Sequence, residues 1–138
     1  MKLKWLVLAA TGLALAACAN KGTPSGPRVF ASDLAGGAKS CSAPAPALKD
    51  GGEAQSEMKV GNDGGWCGIT VSKDGKPYAA GLLTGMPAHG KVLIHTVGDD
   101  TRIDYTPDRG YAGPDQFTVT LLPGETALRV SVTVTTVS

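Results

Sequence analysis

The chain has 138 residues, with 13 basic and 12 acidic side chains, a net charge of +1 and no stripe of like charge. That balance implies neither nucleic acid nor an anionic membrane surface as a partner. Nineteen glycines, nine prolines and an aromatic content of 5% favour turns and short strands over helices.

The first residues fall into three zones. Met1–Lys4 carries Lys2 and Lys4, Trp5–Ala14 is apolar apart from Thr11 and Gly12, and Leu15-Ala16-Ala17-Cys18 follows with small residues and a cysteine. A basic start, an apolar run of about 7–15 residues and a small-residue cleavage site describe an export signal. The run is too short for a spanning helix, which takes roughly 20 apolar residues. Leu15–Cys18 resembles the bacterial lipobox at all four positions. The resemblance implies a signal peptide over residues 1–17, cleavage between Ala17 and Cys18, lipidation of the Cys18 thiol and a lipid anchor in the membrane. A plain secretory signal with a coincidental cysteine is the alternative. Ala19 follows the cysteine where an Asp is absent, a pattern similar to that of outer-membrane lipoproteins. The expected location is the bacterial cell envelope, lipid-anchored in the outer membrane and facing the periplasm. One acyl chain gives marginal attachment, and two or three make it stable.

Removing residues 1–17 from the 138 leaves 121, which suits one domain of about 100 residues plus a tether. With Cys18 assigned to lipid, Cys41 and Cys67 remain as a pair in an oxidising compartment, and a disulfide between them is expected. Closing that loop of about 26 residues stabilises by roughly 3–4 kcal/mol. A reactive thiol or a pair of metal ligands are the alternatives, although the two are not in a C-x-x-C spacing.

Residues 18–50 read as the lipidated cysteine and a flexible tether. Ala19–Lys39 is rich in Gly, Ser, Pro and Ala, and Ser42–Pro46 is stiffer but still non-helical. Val29, Phe30 and Leu34 offer a short docking patch as an alternative to plain linker. Residues 51–138 read as the domain. Gly51–Gly65 is polar with a short strand at Met58–Val60. Trp66–Ser72 alternates and meets Asp74-Gly75, a hairpin-turn signal. Tyr78–Leu83 and Lys91–Thr96 follow as strands. Gly98-Asp99-Asp100 turns the chain into Thr101–Thr106, which carries Ile103 and Tyr105 on one face. Gln116–Leu122 aligns Phe117, Val119 and Leu121, Pro123-Gly124 turns, and Ala127–Val137 alternates Leu128, Val130, Val132 and Val134 with polar residues. Six or seven short strands between turn residues predict an all-β, antiparallel sandwich of two sheets. Trp66, Ile69, Val71, Val92, Ile94, Tyr105, Phe117 and Val132 are the core candidates. The last strand is either an edge open to β-augmentation or a paired central strand.

Part of the C-terminal half is more specific than its periodicity. Pro87-Ala88-His89-Gly90-Lys91-Val92 leads to Asp104-Tyr105-Thr106-Pro107, then to Gly110-Tyr111-Ala112-Gly113-Pro114-Asp115-Gln116-Phe117. From Pro87 to Val134 this resembles the bacterial cadherin-like and immunoglobulin-like repeats of envelope and surface proteins, and it implies an immunoglobulin-like β-sandwich. Gly90 and Gly110 suit positive φ, and Gly113 suits close backbone approach. Asp115 is placed to accept loop N–H groups, and the hydroxyls of Tyr105 and Tyr111 need polar partners. Such repeats usually come in arrays, and this chain has room for one. The calcium sites of cadherins are not implied, because Asp99, Asp100, Asp108 and Asp115 are scattered.

Catalytic residues, metal sites and cofactors are not predicted. His89 belongs to the turn motif, His95 lies opposite Val92 and Ile94, and neither is placed beside a nucleophile and a carboxylate. Met86, His89 and His95 admit a copper reading, since thioether and imidazole suit that metal. Asp99-Asp100 reads as a solvated turn. Gly64-Gly65-Trp66-Cys67-Gly68 reads either as an exposed aromatic in a pinned loop or as a buried tryptophan on the disulfide. Trp66, Tyr78 and Tyr111 are the candidate partner-binding residues. A non-enzymatic structural or interaction module with an envelope protein partner is expected, and a small-molecule ligand is not. The alternative is a periplasmic binding protein, such as an inhibitor of a wall-degrading enzyme or a metal-handling protein.

Overall fold

The computed structural model describes residues 29–138, so the expected signal peptide, with Ala17 and Cys18, lies outside the described residues. One helical turn, α1 (Ala31–Leu34), precedes eight strands: β1 (Cys41–Ser42), β2 (Glu53–Asn62), β3 (Cys67–Val71), β4 (Ala80–Gly85), β5 (Gly90–Val97), β6 (Asp100–Pro107), β7 (Gly113–Leu122) and β8 (Thr126–Thr136). They form a sandwich of a five-stranded sheet, ordered β1-β2-β8-β7-β4, and a three-stranded sheet, ordered β3-β6-β5.

Period-2 alternation builds the core between the sheets, as expected. The large sheet contributes Met58, Val60, Phe117, Val119, Leu121, Leu128, Val130, Val132 and Val134, and the small sheet Cys67, Ile69, Val71, Ile103 and Tyr105. Tyr105 stacks on Phe117 at 5.8 Å between ring centroids, joining the two layers at one end. Two expected core residues, Val92 and Ile94, are only partly buried because β5 has a neighbour on one side alone. Trp66 is also only partly buried, since Cys67 takes the inward position beside it.

Among the described strands, one pair departs from a purely antiparallel sandwich. β2 runs parallel to β8 over ten residue pairs, from Glu53↔Ala127 to Asn62↔Thr136. The strand expected at Met58–Val60 is therefore the end of a longer one. β8 lies between β2 and β7, so the last strand is central and offers no edge for augmentation. Asp74 and Gly75 both have positive φ, 52° and 72°, which is the hairpin geometry that Asp-Gly signals.

The segment read as tether is bound to the sandwich from Asp33 onward. Gly37 bridges to Trp66, β1 pairs with β2, and Cys41 is joined to Cys67 by a disulfide. Further along, Ser56 Oγ donates to Pro44 O at 2.9 Å and Thr126 Oγ1 donates to Lys49 O at 3.1 Å. The physical reason is that backbone groups and one covalent bond make most of the attachment, so the small apolar contacts of Ala38, Ala43 and Leu48 suffice beside them.

Candidate functional site

Strand β6 puts Ile103 and Tyr105 into the core, and the pleat turns Arg102 and Asp104 to the outer face of the small sheet. Both would be solvated there, yet both are buried. Asp104 takes Arg102 Nε on Oδ1 at 2.8 Å and Arg102 Nη2 on Oδ2 at 3.0 Å. The second oxygen also meets His95 Nε2 at 2.7 Å, across the register from β5. A buried carboxylate is tolerated when its charge is matched and its lone pairs are filled, and both conditions hold.

Trp66 and the N-terminal segment cover this ion pair. The Arg102 guanidinium lies over the Trp66 ring, 3.9 Å from its centroid. Trp66 Nε1 donates to Ala35 O at 2.8 Å, and Arg102 Nη1 donates to Asp33 O at 2.6 Å. Backbone bonds from Trp66 N to Gly36 O and from Ala38 N to Trp66 O, at 3.1 and 2.8 Å, complete the clasp. We call residues 29–39 the strap. Asp63 holds its end by accepting Lys39 N and Gly65 N at 3.0 and 2.9 Å, and these two bonds keep its carboxyl below the usual range. Gly68 is required beneath the pair: a Cβ there would stand 2.4 Å from Asp104 Oδ1.

At the far end of β6, Tyr105 donates its hydroxyl to Asp115 Oδ2 at 2.8 Å. Asp115 also accepts the backbone N–H groups of Ala88, His89 and Gln116 at 2.9–3.0 Å, as its position in the motif implies. Burial alone would raise the Asp115 pKa, but the Tyr105 hydroxyl and the three N–H groups outweigh it and the carboxyl titrates lower than usual. Burial, with the Asp115 charge beside it, pushes the Tyr105 phenol far up. Gly90 differs from expectation. Its φ is not positive; it is needed because a Cβ would meet the Tyr105 ring at 2.4 Å. Gly110 does adopt positive φ, 79°.

The three candidate contact residues are not brought together. Trp66 sits under the strap. Tyr111 stacks on His89 at 4.0 Å in the loop before β7 and donates its hydroxyl to Pro114 O. Tyr78 is only 6% exposed. It lines a cleft of about 690 Å³ at the opposite end of the sandwich, with Pro46, Asp50, Thr70 and Lys73. Burial raises the Tyr78 pKa, and the Asp50 carboxylate bonded to Lys73 raises that lysine's.

The bacterial Ig domain family matches residues 48–136, which takes in every strand from β2 to β8. The chain belongs to that family. No curated protein matches it. The match begins after the strap and β1, so the strap and Cys41, one half of the disulfide, lie outside the matched residues. Arg102 has no place in the sequence reading, where Asp104 enters only as a motif position and His95 only as a histidine set opposite Val92 and Ile94. The available signal was a pair of opposite charges two apart on the strand face opposite Ile103 and Tyr105, facing a glycine on β3.

Proposed function

We propose that this chain is an envelope lipoprotein whose single Ig domain works by contact and not by catalysis, as an accessory subunit or partner-binding module on the periplasmic side of the outer membrane. One observation carries the reading: a four-position lipobox match, Leu15–Cys18, stands ten residues ahead of the strap of a disulfide-bonded Ig domain. Domains of this family are in the main structural or interaction modules. The polar side chains that a catalytic reading would recruit are already engaged with one another: His95 and Arg102 with Asp104, and Asp115 with Tyr105 and backbone N–H groups.

The test is affinity purification of the full chain from native membranes, with Cys18→Ser as control. The expected outcome is a membrane-bound protein carrying acyl mass on Cys18 and recovered with a stoichiometric envelope protein. C18S should leave the membrane fraction. An unmodified Cys18, or a lipidated protein that is recovered alone after cross-linking in intact cells, defeats the proposal.

A further inference from the structure

Solvated loops usually turn polar groups outward, and the first part of the strap does the reverse. Phe30 N–H is taken by Asp33 Oδ2 at 2.8 Å, Asp33 N–H by Phe30 O at 2.9 Å, and Asp33 O by Arg102 at 2.6 Å. The strap thus spends these polar groups within itself or on the sheet beneath. Its large apolar side chains are left outside: Phe30 and Leu34, at the two ends of α1, are each 66% exposed, and Val29 is exposed beside them. Leu93, which pairs with Asp104, is 59% exposed on the same outer face of the small sheet. Most of the large apolar side chains exposed on the described surface are therefore on the strap or the face it crosses.

Chain length and charge indicate what covers them. Val29 is the eleventh residue after Cys18, so even a fully extended chain separates them by at most about 40 Å. No other part of the domain has a shorter chain path to a lipid on Cys18. The whole-chain charge balance also hides an asymmetry. Residues 18–40 carry Lys21, Arg28 and Lys39 against Asp33 alone, whereas residues 41–138 carry eight basic and eleven acidic side chains. An anionic phospholipid surface attracts the first segment and repels the second.

We propose that Val29, Phe30 and Leu34 make a second, non-covalent membrane contact, seating the strap in the headgroup region of the leaflet that holds Cys18 and turning the outer face of the small sheet toward the lipid. This rests on lipidation of Cys18. A basic, aromatic-containing apolar segment next to an acyl anchor adds an interfacial contact that fixes how the domain sits on the bilayer. The large sheet's outer face then points away from the bilayer and is the side free to meet a partner.

The experiment uses the acylated full chain in vesicles of phosphatidylethanolamine and phosphatidylglycerol, with a fraction of the lipid brominated on its acyl chains. F30W reports on the strap. M86W, at a 79% exposed position beside Thr118 and Arg129 of the large sheet, reports on the opposite face. Trp66 is common to both, since Trp5 leaves with the signal peptide, and is subtracted with the unsubstituted chain. Most of the emission added by F30W should be lost to bromine, while that added by M86W is retained. L34W repeats the measurement should F30W fail to fold. Equal quenching of both, or none of F30W, in protein that carries acyl mass and floats with the vesicles overturns the contact and leaves the anchor standing. Absence of acyl mass overturns the anchor and the contact together. Shielding of F30W by a co-purified protein instead of lipid also overturns the contact.

Discussion

Asp104 and Asp115 are two carboxylates drawn out of bulk water, one on each sheet, and they are satisfied by opposite means. Asp115 receives neutral donors: the Tyr105 hydroxyl and three backbone N–H groups that the chain holds in place whatever its side chains do. Asp104 receives a guanidinium and an imidazole, and its guanidinium is itself buried under Trp66 and the strap. Removing a carboxylate from neutral donors forfeits hydrogen bonds. Removing it from a buried cation also strands a charge. The covered outer face is therefore the more brittle of the two, although it lies farther from the apolar core.

The largest effect expected from that contrast is at Asp104. Asp104→Ala should destabilise by about 3–5 kcal/mol in urea unfolding, because Arg102 loses its countercharge while still covered. The double change R102L/D104L should cost less than D104A alone, and equal costs would show that stranded charge is not the cause. Next comes the covalent fastening of the same side: C41S/C67S should cost roughly 3–4 kcal/mol, read as a lower unfolding midpoint, from the loop it releases.

Asp115→Asn should cost about 1.5–3 kcal/mol near neutral pH, the usual loss for hydrogen bonds to a charged group. A pH signature accompanies that loss. The Asp115 pKa is lowered on folding, so its contribution is fully present above the unfolded carboxylate value of about 4 and is lost as pH falls through the folded one. D115N should therefore unfold with a flatter acid limb than the parent protein, and an unchanged acid limb would refute this. Tyr105→Phe is the smallest change, about 1 kcal/mol, since three N–H donors remain on Asp115. The Tyr105 pKa is raised on folding, so the parent protein should lose stability above about pH 10, and Y105F should lose less there.

The same two regions mark what could be read from the sequence. The Asp115 hub is assembled from residues within one motif, Pro87–Phe117, whose glycines, prolines and acceptor are spaced as one unit, and its donors were foreseeable. So were the disulfide and the strands that alternate large apolar residues with polar ones. β2 was legible only at Met58 and Val60, because its first half alternates Ala54 and Ser56 with Glu53, Gln55 and Glu57, and its parallel partner β8 lies more than 70 residues away in the chain. The Asp104 hub unites Asp33, Trp66, His95 and Arg102, which share no local pattern, and the strap over it consists of residues whose composition signals a linker. Backbone hydrogen bonds hold it, and these leave no mark in side-chain periodicity.

The disulfide has a mechanical consequence. Tension applied from the N-terminal side first strips the hydrogen bonds of residues 33–40 and then arrives at Cys41. There the covalent bond diverts it to Cys67, at the head of β3, whose five-residue ladder with β6 takes the load. Residues 43–52 and the two-residue pairing of β1 with β2 stay slack. In the reduced protein the same force would run along the chain instead and peel β1 from β2 one bond at a time. The bridge therefore decides whether a pull on this domain meets an unzipping edge or a ladder loaded as a whole.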